Sequence, residues 1–308
     1  MRIGLVDLDT SHPAAWVQLE RELGHEVVGV WDGGAVHPPG YAARFAEEHR
    51  IPRVYDTLIE MAREVDCAVL HGCDWDRHVE RASPFVEAGK AVLVDKPLAG
   101  RLADLEQLRA WAREGARITG GSSLRFAVET REWLAKPAEE RGEPHTALCG
   151  CAVDPFNYGI HAYSMLAGIM GAGVRSVRHL GQAGGSEQRR VQVNWRDGRM
   201  GILVVGKADG WVPFHAAVVT NKGAFQYGAD AGKLYRALLE AVLPYLAGYV
   251  EQPPVPMDAL LEPELCALAA RRSWLEGDRE VTLDELDASD AYDGAAFAEQ
   301  YRRARYPA

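Results

Sequence analysis

Gly89-Lys90-Ala91-Val92-Leu93-Val94-Asp95-Lys96-Pro97 decides the fold. Its apolar run, Ala91 to Val94, is what a parallel strand covered on both faces requires. Pro97 closes the run, and the residue before a proline is driven to extended geometry. Lys96 is thereby expected at the carboxyl end of a strand, the edge at which open α/β sheets bind ligands. Gly89 suits the left-handed stop of a helix predicted from Arg77 to Ala88.

Working outward, strands and helices alternate. Strands are predicted at 2–7, 25–31, 53–55, 66–70 and 116–119. Helices fall at His12 to Leu23, Tyr41 to His49, Leu58 to Glu64 and Leu102 to Arg113. Ala15, Trp16, Leu19 and Leu23 recur at helical spacing, and Thr57 stands as a cap before Leu58. Such alternation implies a parallel sheet with right-handed crossovers. After Ser122 the pattern changes. Alternating segments appear at His145 to Val153, Val174 to Leu180, Arg190 to Asn194, Gly201 to Val205, Phe214 to Thr220 and Ala224 to Tyr227. Arg196-Asp197-Gly198 and Asn221-Lys222-Gly223 mark tight turns between some of them. Helices are expected at Gly159 to Met170, Lys233 to Tyr249 and Leu260 to Glu276. The chain reads as α/β: a Rossmann-like parallel sheet over residues 1–121, then an α+β domain over 122–308 with an open, mostly antiparallel sheet.

Bulk properties agree with this. A chain of 308 residues suits two domains, and 47% hydrophobic with 25% charged residues describes a globular protein. A net charge of −10 argues against a nucleic-acid surface. No apolar run is long enough to cross a membrane. Met1 to Val6 reads as a core strand rather than a signal peptide. Five scattered cysteines point to a reducing cytoplasm, with Cys149 and Cys151 read as buried thiols.

The order of parts resembles the Gfo/Idh/MocA oxidoreductases, the family of glucose–fructose oxidoreductase and inositol dehydrogenase. Glu87-Ala88-Gly89-Lys90 through Val94-Asp95-Lys96-Pro97-Leu98-Ala99 is similar to the family's A-G-K-x-V-x-x-E-K-P-L-A, with Asp95 in the place of glutamate. Gly159-Ile160-His161, followed by Met165-Leu166 and Met170-Gly171, is similar to its D-x-G-x-H helix. Ser123-Leu124-Arg125-Phe126 resembles the R-F at the entry to the second domain. The resemblance implies a Rossmann domain, an α/β substrate domain, and hydride transfer between a nicotinamide cofactor and a sugar, polyol or related hydroxy compound. It implies that Lys96 and His161 line the substrate pocket, and that the lysine–proline bond is often cis. Asp95 and Lys96 are also expected beside the cofactor. Arg125, Tyr158, Tyr163, Trp211 and His215 are placed to line a polar, sugar-sized pocket.

Three departures bear on the chemistry. A Rossmann fold places G-x-G-x-x-G after its first strand, so that backbone can approach a pyrophosphate. Here stands Asp7-Leu8-Asp9-Thr10-Ser11-His12, and its two carboxylates oppose a dianion unless they point away. Leu8, Thr10 and Ser11 remain the cofactor-side candidates, with hydroxyls as donors; Asp9 is read as a helix cap. Asp32 ends the second strand where an acid receives the adenosine ribose and disfavours a 2′-phosphate, favouring NAD over NADP; an Asp32-Gly33-Gly34 turn is the equal alternative. Asn157 replaces the helix aspartate and can position a substrate but not act as a base, with Asp154 a possible substitute. After the fourth strand only His78 matches the family's T-P-N-x-x-H, and Asp74 or Asp76 is read as a cap.

Two further readings stand beside the redox one. The lost glycines and aspartate also suit a descendant that binds a ligand, regulates, or runs non-redox chemistry. Asp7, Asp9, His12, His71, Cys73, Asp74, Asp76 and His78 gather at strand ends with Zn²⁺- or Mn²⁺-type ligands, but in no metal-motif spacing, so no metal is assigned. A small polar molecule is the expected partner, and the open second sheet is expected to be covered in a homodimer or homotetramer.

Overall fold

The first sheet is built from short strands whose residues are buried on both faces. The computed structural model describes residues 1–182, 184 and 186–307. In it β1 (Arg2–Val6), β2 (Glu26–Trp31), β3 (Arg53–Val54), β4 (Cys67–Leu70), β5 (Ala91–Val94) and β6 (Ile118–Gly120) lie in the order β3-β2-β1-β4-β5-β6. Every pairing is parallel. The connecting helices are α1 (His12–Glu22), α2 (Tyr41–Glu48), α3 (Leu58–Glu64), α4 (His78–Glu87) and α5 (Leu102–Arg113). This is a Rossmann order, with its topological switch between β1 and β4. Thr57 caps α3 by accepting the Glu60 amide. Gly120 lets β6 approach β5, because a Cβ there would lie 1.9 Å from the Val94 carbonyl oxygen.

The strand expected to reach Lys96 stops at Val94. The Asp95 amide still donates to the Leu70 carbonyl on β4, but the Lys96 amide turns to the Asp95 side chain at 2.7 Å. Lys96–Pro97 is cis. The helix expected from Arg77 starts instead with a 3-10 turn, Trp75–Arg77, capped by Asp74.

The second sheet comprises β7 (Pro144–Gly150), β8 (Val174–Gln182), β9 (Arg189–Trp195), β10 (Met200–Val205), β11 (His215–Thr220), β12 (Gly223–Gly228) and β13 (Glu280–Thr282), in the order β12-β11-β7-β10-β9-β8-β13. β7 and β10 pair in parallel and the remaining pairs are antiparallel. α6 (Val128–Leu134) and α7 (Ala138–Arg141) precede it, and α8 (Ile160–Met170) follows β7. Ala147, Cys149, Val191, Val193, Leu203, Ala216 and Val218 face the core, whereas Leu148 and Val219 on the other face are exposed. α9 (Ala231–Leu246), α10 (Met257–Leu275) and α11 (Gly294–Arg305) complete the chain.

Two compact units result. One is Met1–Gly121 with Leu239–Met257 and Asp293–Ala308; the other is Ser122–Leu238 with Asp258–Tyr292. The sequence puts everything after 121 in one domain, whereas these contacts return two later segments to the first unit. Arg117 is one tie, donating to the Tyr245 and Val250 carbonyls. Among the described residues no helix is long and apolar enough to cross a membrane.

Candidate active site

The carboxyl edge of the first sheet concentrates buried ionisable groups. Asp95, directly behind β5, is buried and carries two imidazoles on one oxygen: His12 Nδ1 at 2.5 Å and His71 Nδ1 at 3.1 Å from Oδ2. His12 opens α1 and His71 follows β4, so three strand ends meet at one carboxylate. Burial alone would raise the Asp95 pKa; His12 and His71 reverse this and hold it well below the usual carboxylate range. Burial pushes the His71 pKa down, which keeps that ring neutral with its Nδ1 hydrogen on Asp95. Trp16 packs both rings, stacked 5.7 Å from His12 and edge-on 4.9 Å from His71. Lys96 lies next in the chain and is buried, 9% exposed.

The turn after β1 is a different environment. Asp7 adopts φ 60°, a left-handed conformation that costs a non-glycine residue on the order of 1–3 kcal/mol. Its Oδ1 accepts the Gly33 amide at 2.9 Å, and Arg81 lies 3.6 Å from its Oδ2 while stacking over Trp31. Burial outweighs Arg81 and raises the Asp7 pKa. Asp9 is not a helix cap. Its Oδ2 accepts the Cys73 amide at 2.9 Å, its Oδ1 is buried without a partner, and burial with the Asp7 charge raises its pKa to about 7. Thr10 Oγ1 instead accepts the His12 amide. Ser11 takes the N-cap position of α1 and makes no side-chain cap bond, with no acid in the first turn. Leu8 is buried and its carbonyl oxygen is 3.0 Å from His37 Nε2. Asp32 accepts the Gly34 amide, which is the turn alternative. His78 is buried with both ring nitrogens against carbonyl oxygens, of Leu98 at 3.0 Å and Gly72 at 2.9 Å.

His12, His71 and Asp95 present three ligand-type atoms within 4.8 Å of one another. Their bonding is that of a carboxylate taking two N–H donors. The remaining nitrogen of His71 has no hydrogen-bond partner, whereas metal-bound imidazoles almost always have one. The sequence gathered His12 and His71 at this edge but not Asp95, whose side chain no strand pattern directs toward them.

The second unit holds the other predicted residues. His161, on the first turn of α8, is buried with Nδ1 2.7 Å from Ser122 Oγ, which itself accepts the Leu124 amide. Tyr158 and Phe214 stand edge-on to this imidazole at 5.1 and 5.3 Å and stack on one another. Trp211, 63% exposed, meets both edge-on. Burial raises the Tyr158 pKa, aided by Cys151 and Asp154. Asn157 lies half-buried in the turn before α8. Asp154 is not placed as a replacement base, for its two oxygens accept the Phe156 and Tyr158 amides and build that turn. Tyr163 and Arg125 fall elsewhere than the sequence placed them. Tyr163 is buried with an unpartnered hydroxyl and lines a small cavity with Leu166, Val193, Trp195 and Cys266. Arg125 donates to the Ala259 carbonyl on α10, and burial lowers its pKa against Glu262 and Glu264. α8 packs directly on the Arg125 backbone, since a Cβ at Gly168 would lie 2.7 Å from the Arg125 carbonyl oxygen. His215 Nδ1 is bound to the Pro213 carbonyl.

A parallel sheet of this order with ionisable groups at its carboxyl edge defines a Rossmann-type protein. Residues 3–120 match the model of the GFO_IDH_MocA oxidoreductase family, NAD-binding Rossmann fold, so the first unit is similar to that family over its whole sheet. YceM of Salmonella typhimurium is 34% identical over 134 residues, which is 43% of this chain and 42% of that protein. The trans-1,2-dihydrobenzene-1,2-diol dehydrogenase of Oryctolagus cuniculus is 34% identical over 108 residues, 35% of this chain and 30% of that protein. The chain thus spans less than half the length of these curated relatives. Among solved structures, the myo-inositol dehydrogenase of Lactobacillus casei in complex with NAD(H) and myo-inositol has a similar fold (TM-score 0.78, 14% identity, covering 96% of this chain and 99% of that one).

The matched model is described as NAD-binding, and the first unit meets part of what a dinucleotide requires. At the amino end of α1 the Ser11 hydroxyl makes no cap bond and the first turn holds no acid, which leaves room for a diphosphate, but Thr10 takes the His12 amide and Pro13 has no N–H to offer. Asp7 and Asp9 are turned onto backbone amides, and their raised pKa values lessen the charge that would oppose it. Beside this edge α11 packs Ala298 against Val36, after β2, and Cys73, after β4.

Proposed function

We propose that the protein is an NAD-dependent oxidoreductase acting at a hydroxyl-bearing carbon of a polyol, sugar or related cyclic diol. The observation that carries this reading is the buried Asp95 at the end of β5, next in the chain to Lys96, with the His12 and His71 imidazoles both on its Oδ2. The substrate class follows the family and relatives whose names specify a cyclic diol or inositol dehydrogenase. NAD is preferred because Asp32 would repel a 2′-phosphate. The Ser11 hydroxyl, with Thr10 and the amino end of α1, would hold the diphosphate; the nicotinamide would supply the hydride acceptor.

The chain's own residues handle the proton. Because Asp95 accepts from His12 Nδ1, the basic end of that imidazole is Nε2, the tautomer a general base needs. Lys96 is the proposed acceptor of the hydroxyl proton and His12 the group that relays it away. In the second unit, Ser122 fixes the His161 ring as a further proton-transfer group, Asn157 positions the substrate, and Tyr158, Phe214 and Trp211 offer ring faces to a cyclic one. Arg125 and Tyr163 are left without a substrate role.

Turnover of NAD with inositols and cyclic diols tests the reading. Lys96→Ala is expected to lower kcat at least about a thousandfold with the melting temperature unchanged; full activity in that variant would refute it. We further propose a cytoplasmic protein, in keeping with five buried free thiols, and self-association through the sheet face bearing Leu148 and Val219.

A further inference from the structure

We infer that α11 is a built-in competitor for the adenosine half of the dinucleotide, so that the nucleotide and a docked α11 exclude one another. This rests on the dinucleotide reading given above. In the order β2-β1-β4, the loops after β2 and β4 flank the end of β1, and the crevice between them is where a Rossmann sheet receives adenosine.

α11 spans that crevice. Ala298 is buried in one cluster with Val36 of the loop after β2 and Cys73 of the loop after β4, with Ala35, Phe297 and Tyr301 packed around them. Phe297 lies 5.0 Å from the Trp75 ring. The helix is pinned at both ends. At its start the Gly294 amide donates to Asp76 Oδ2 at 3.0 Å, and Asp293 caps the helix through the Ala296 amide. Just past its end, the Tyr306 hydroxyl is 2.7 Å from His37 Nδ1, while His37 Nε2 reaches the Leu8 carbonyl in the turn after β1. All three loops of the crevice are therefore tied to one helix.

The attachment is specific yet shallow. Of α11 only Gly294 and Ala298 are buried, so its docking leaves most of the helix in water. Segments with so little buried area open at low cost, and a ligand that binds the open form shifts the balance toward it. The contact at Gly294 offers a lever outside the proposed catalytic groups. A Cβ there would lie 2.7 Å from Asp74 Oδ1 and 2.8 Å from the Asp76 amide nitrogen.

The experiment uses the full chain with NADH and ADP-ribose as probes. Calorimetric titration of Gly294→Val is expected to show at least tenfold tighter binding of both than the unaltered chain. Hydrogen exchange supplies the second measurement and needs no variant: adding NADH to the unaltered chain is expected to speed amide exchange over 294–305. Equal affinity in the two proteins, or NADH binding that leaves α11 equally protected, overturns the inference while the nucleotide reading stands. No binding by either protein at millimolar nucleotide overturns both.

Discussion

Asp9 and Asp95 lie at the carboxyl edge of one sheet, both buried, yet their carboxyl groups are driven in opposite directions. Asp9 faces the Asp7 charge with one oxygen unpartnered, and its pKa rises to about 7. Asp95 is equally cut off from water, but two imidazoles on a single oxygen hold it well below the usual carboxylate range. Burial is common to both; the partner decides. Groups at one edge whose environments separate their protonation states are how a fold obtains an acid and a base at the same pH. The comparison assigns the ionised role to Asp95 and leaves Asp9 able to gain or lose a proton near neutrality.

The strongest way to break that contrast is Asp95→Asn, which removes the charge while keeping the shape. His12 and His71 then lose their common anion. Turnover is expected to fall at least about a thousandfold, and urea denaturation at pH 7 should show a loss of about 3 kcal/mol, the usual result of breaking a buried pair. The pH dependence has a definite sign. A folded pKa below the unfolded one gives stability that is present above about pH 4 and lost as pH falls through the folded value. The acid limb of the denaturation profile should therefore shrink in the variant.

Glu20 on α1 sharpens the contrast as a carboxyl group given burial and no hydrogen-bond partner. It is fully buried with both oxygens unpartnered, and burial, opposed by Arg21, raises its pKa to about 8. Here the folded pKa exceeds the unfolded one, so the stability is complete below about pH 4.5 and is lost as pH rises through about 8. At 1.36 kcal/mol per pKa unit the loss is on the order of 5 kcal/mol. Urea midpoints at pH 5 and 8.5 should separate clearly for the natural chain and draw together for Glu20→Leu. Unchanged separation would show that Glu20 is not the group responsible.

Asp9→Asn is the smaller perturbation. The amide keeps an oxygen for the Cys73 N–H and removes the proton that Asp9 exchanges near neutrality. The same sign applies as for Glu20: deprotonation of Asp9 destabilises the fold as pH rises through about 7. A severalfold pH limb centred near 7 in nucleotide affinity should flatten in the variant, measured by NADH titration from pH 5.5 to 8.5.

Much of this architecture was readable from periodicity, and the failures have a common cause. The alternation of apolar runs located all six strands of the first sheet, and the Asp95-Lys96-Pro97 run marked the edge that matters, because burial on both faces writes itself into composition. The pairing of Asp95 with His12 and His71 was not readable. It depends on which way three turn residues point after their strands have ended, and Lys96 leaves the strand because its amide takes the Asp95 side chain. α11 was missed because its docked face is narrow: Ala298, Phe297 and Tyr301 stand among Gln300, Arg302 and Arg303, and an apolar stripe so thin carries little signal. Asp9 was assigned a cap because aspartate before a helix is a good local guess; the Cys73 amide, 64 residues away, won the bond.

Trp211 supplies the comparison with its control and the smallest expected effect. It lies in the second unit, 63% exposed and edge-on to Tyr158 and Phe214. Removing an exposed ring costs little stability, so Trp211→Ala should melt within about 2 °C of the natural chain. If the ring offers a face to a cyclic substrate, its loss weakens binding equally in ground and transition states: KM rises severalfold and kcat stays within about twofold. The effect should also be the same at pH 6 and pH 8, because the ring contacts that Trp211 makes are with Tyr158 and Phe214, neither of which carries a charge over that range. A pH-dependent change in this variant would mean that titrating groups act on the aromatic site, and the division between a charge-tuned edge and a ring-lined site would fail.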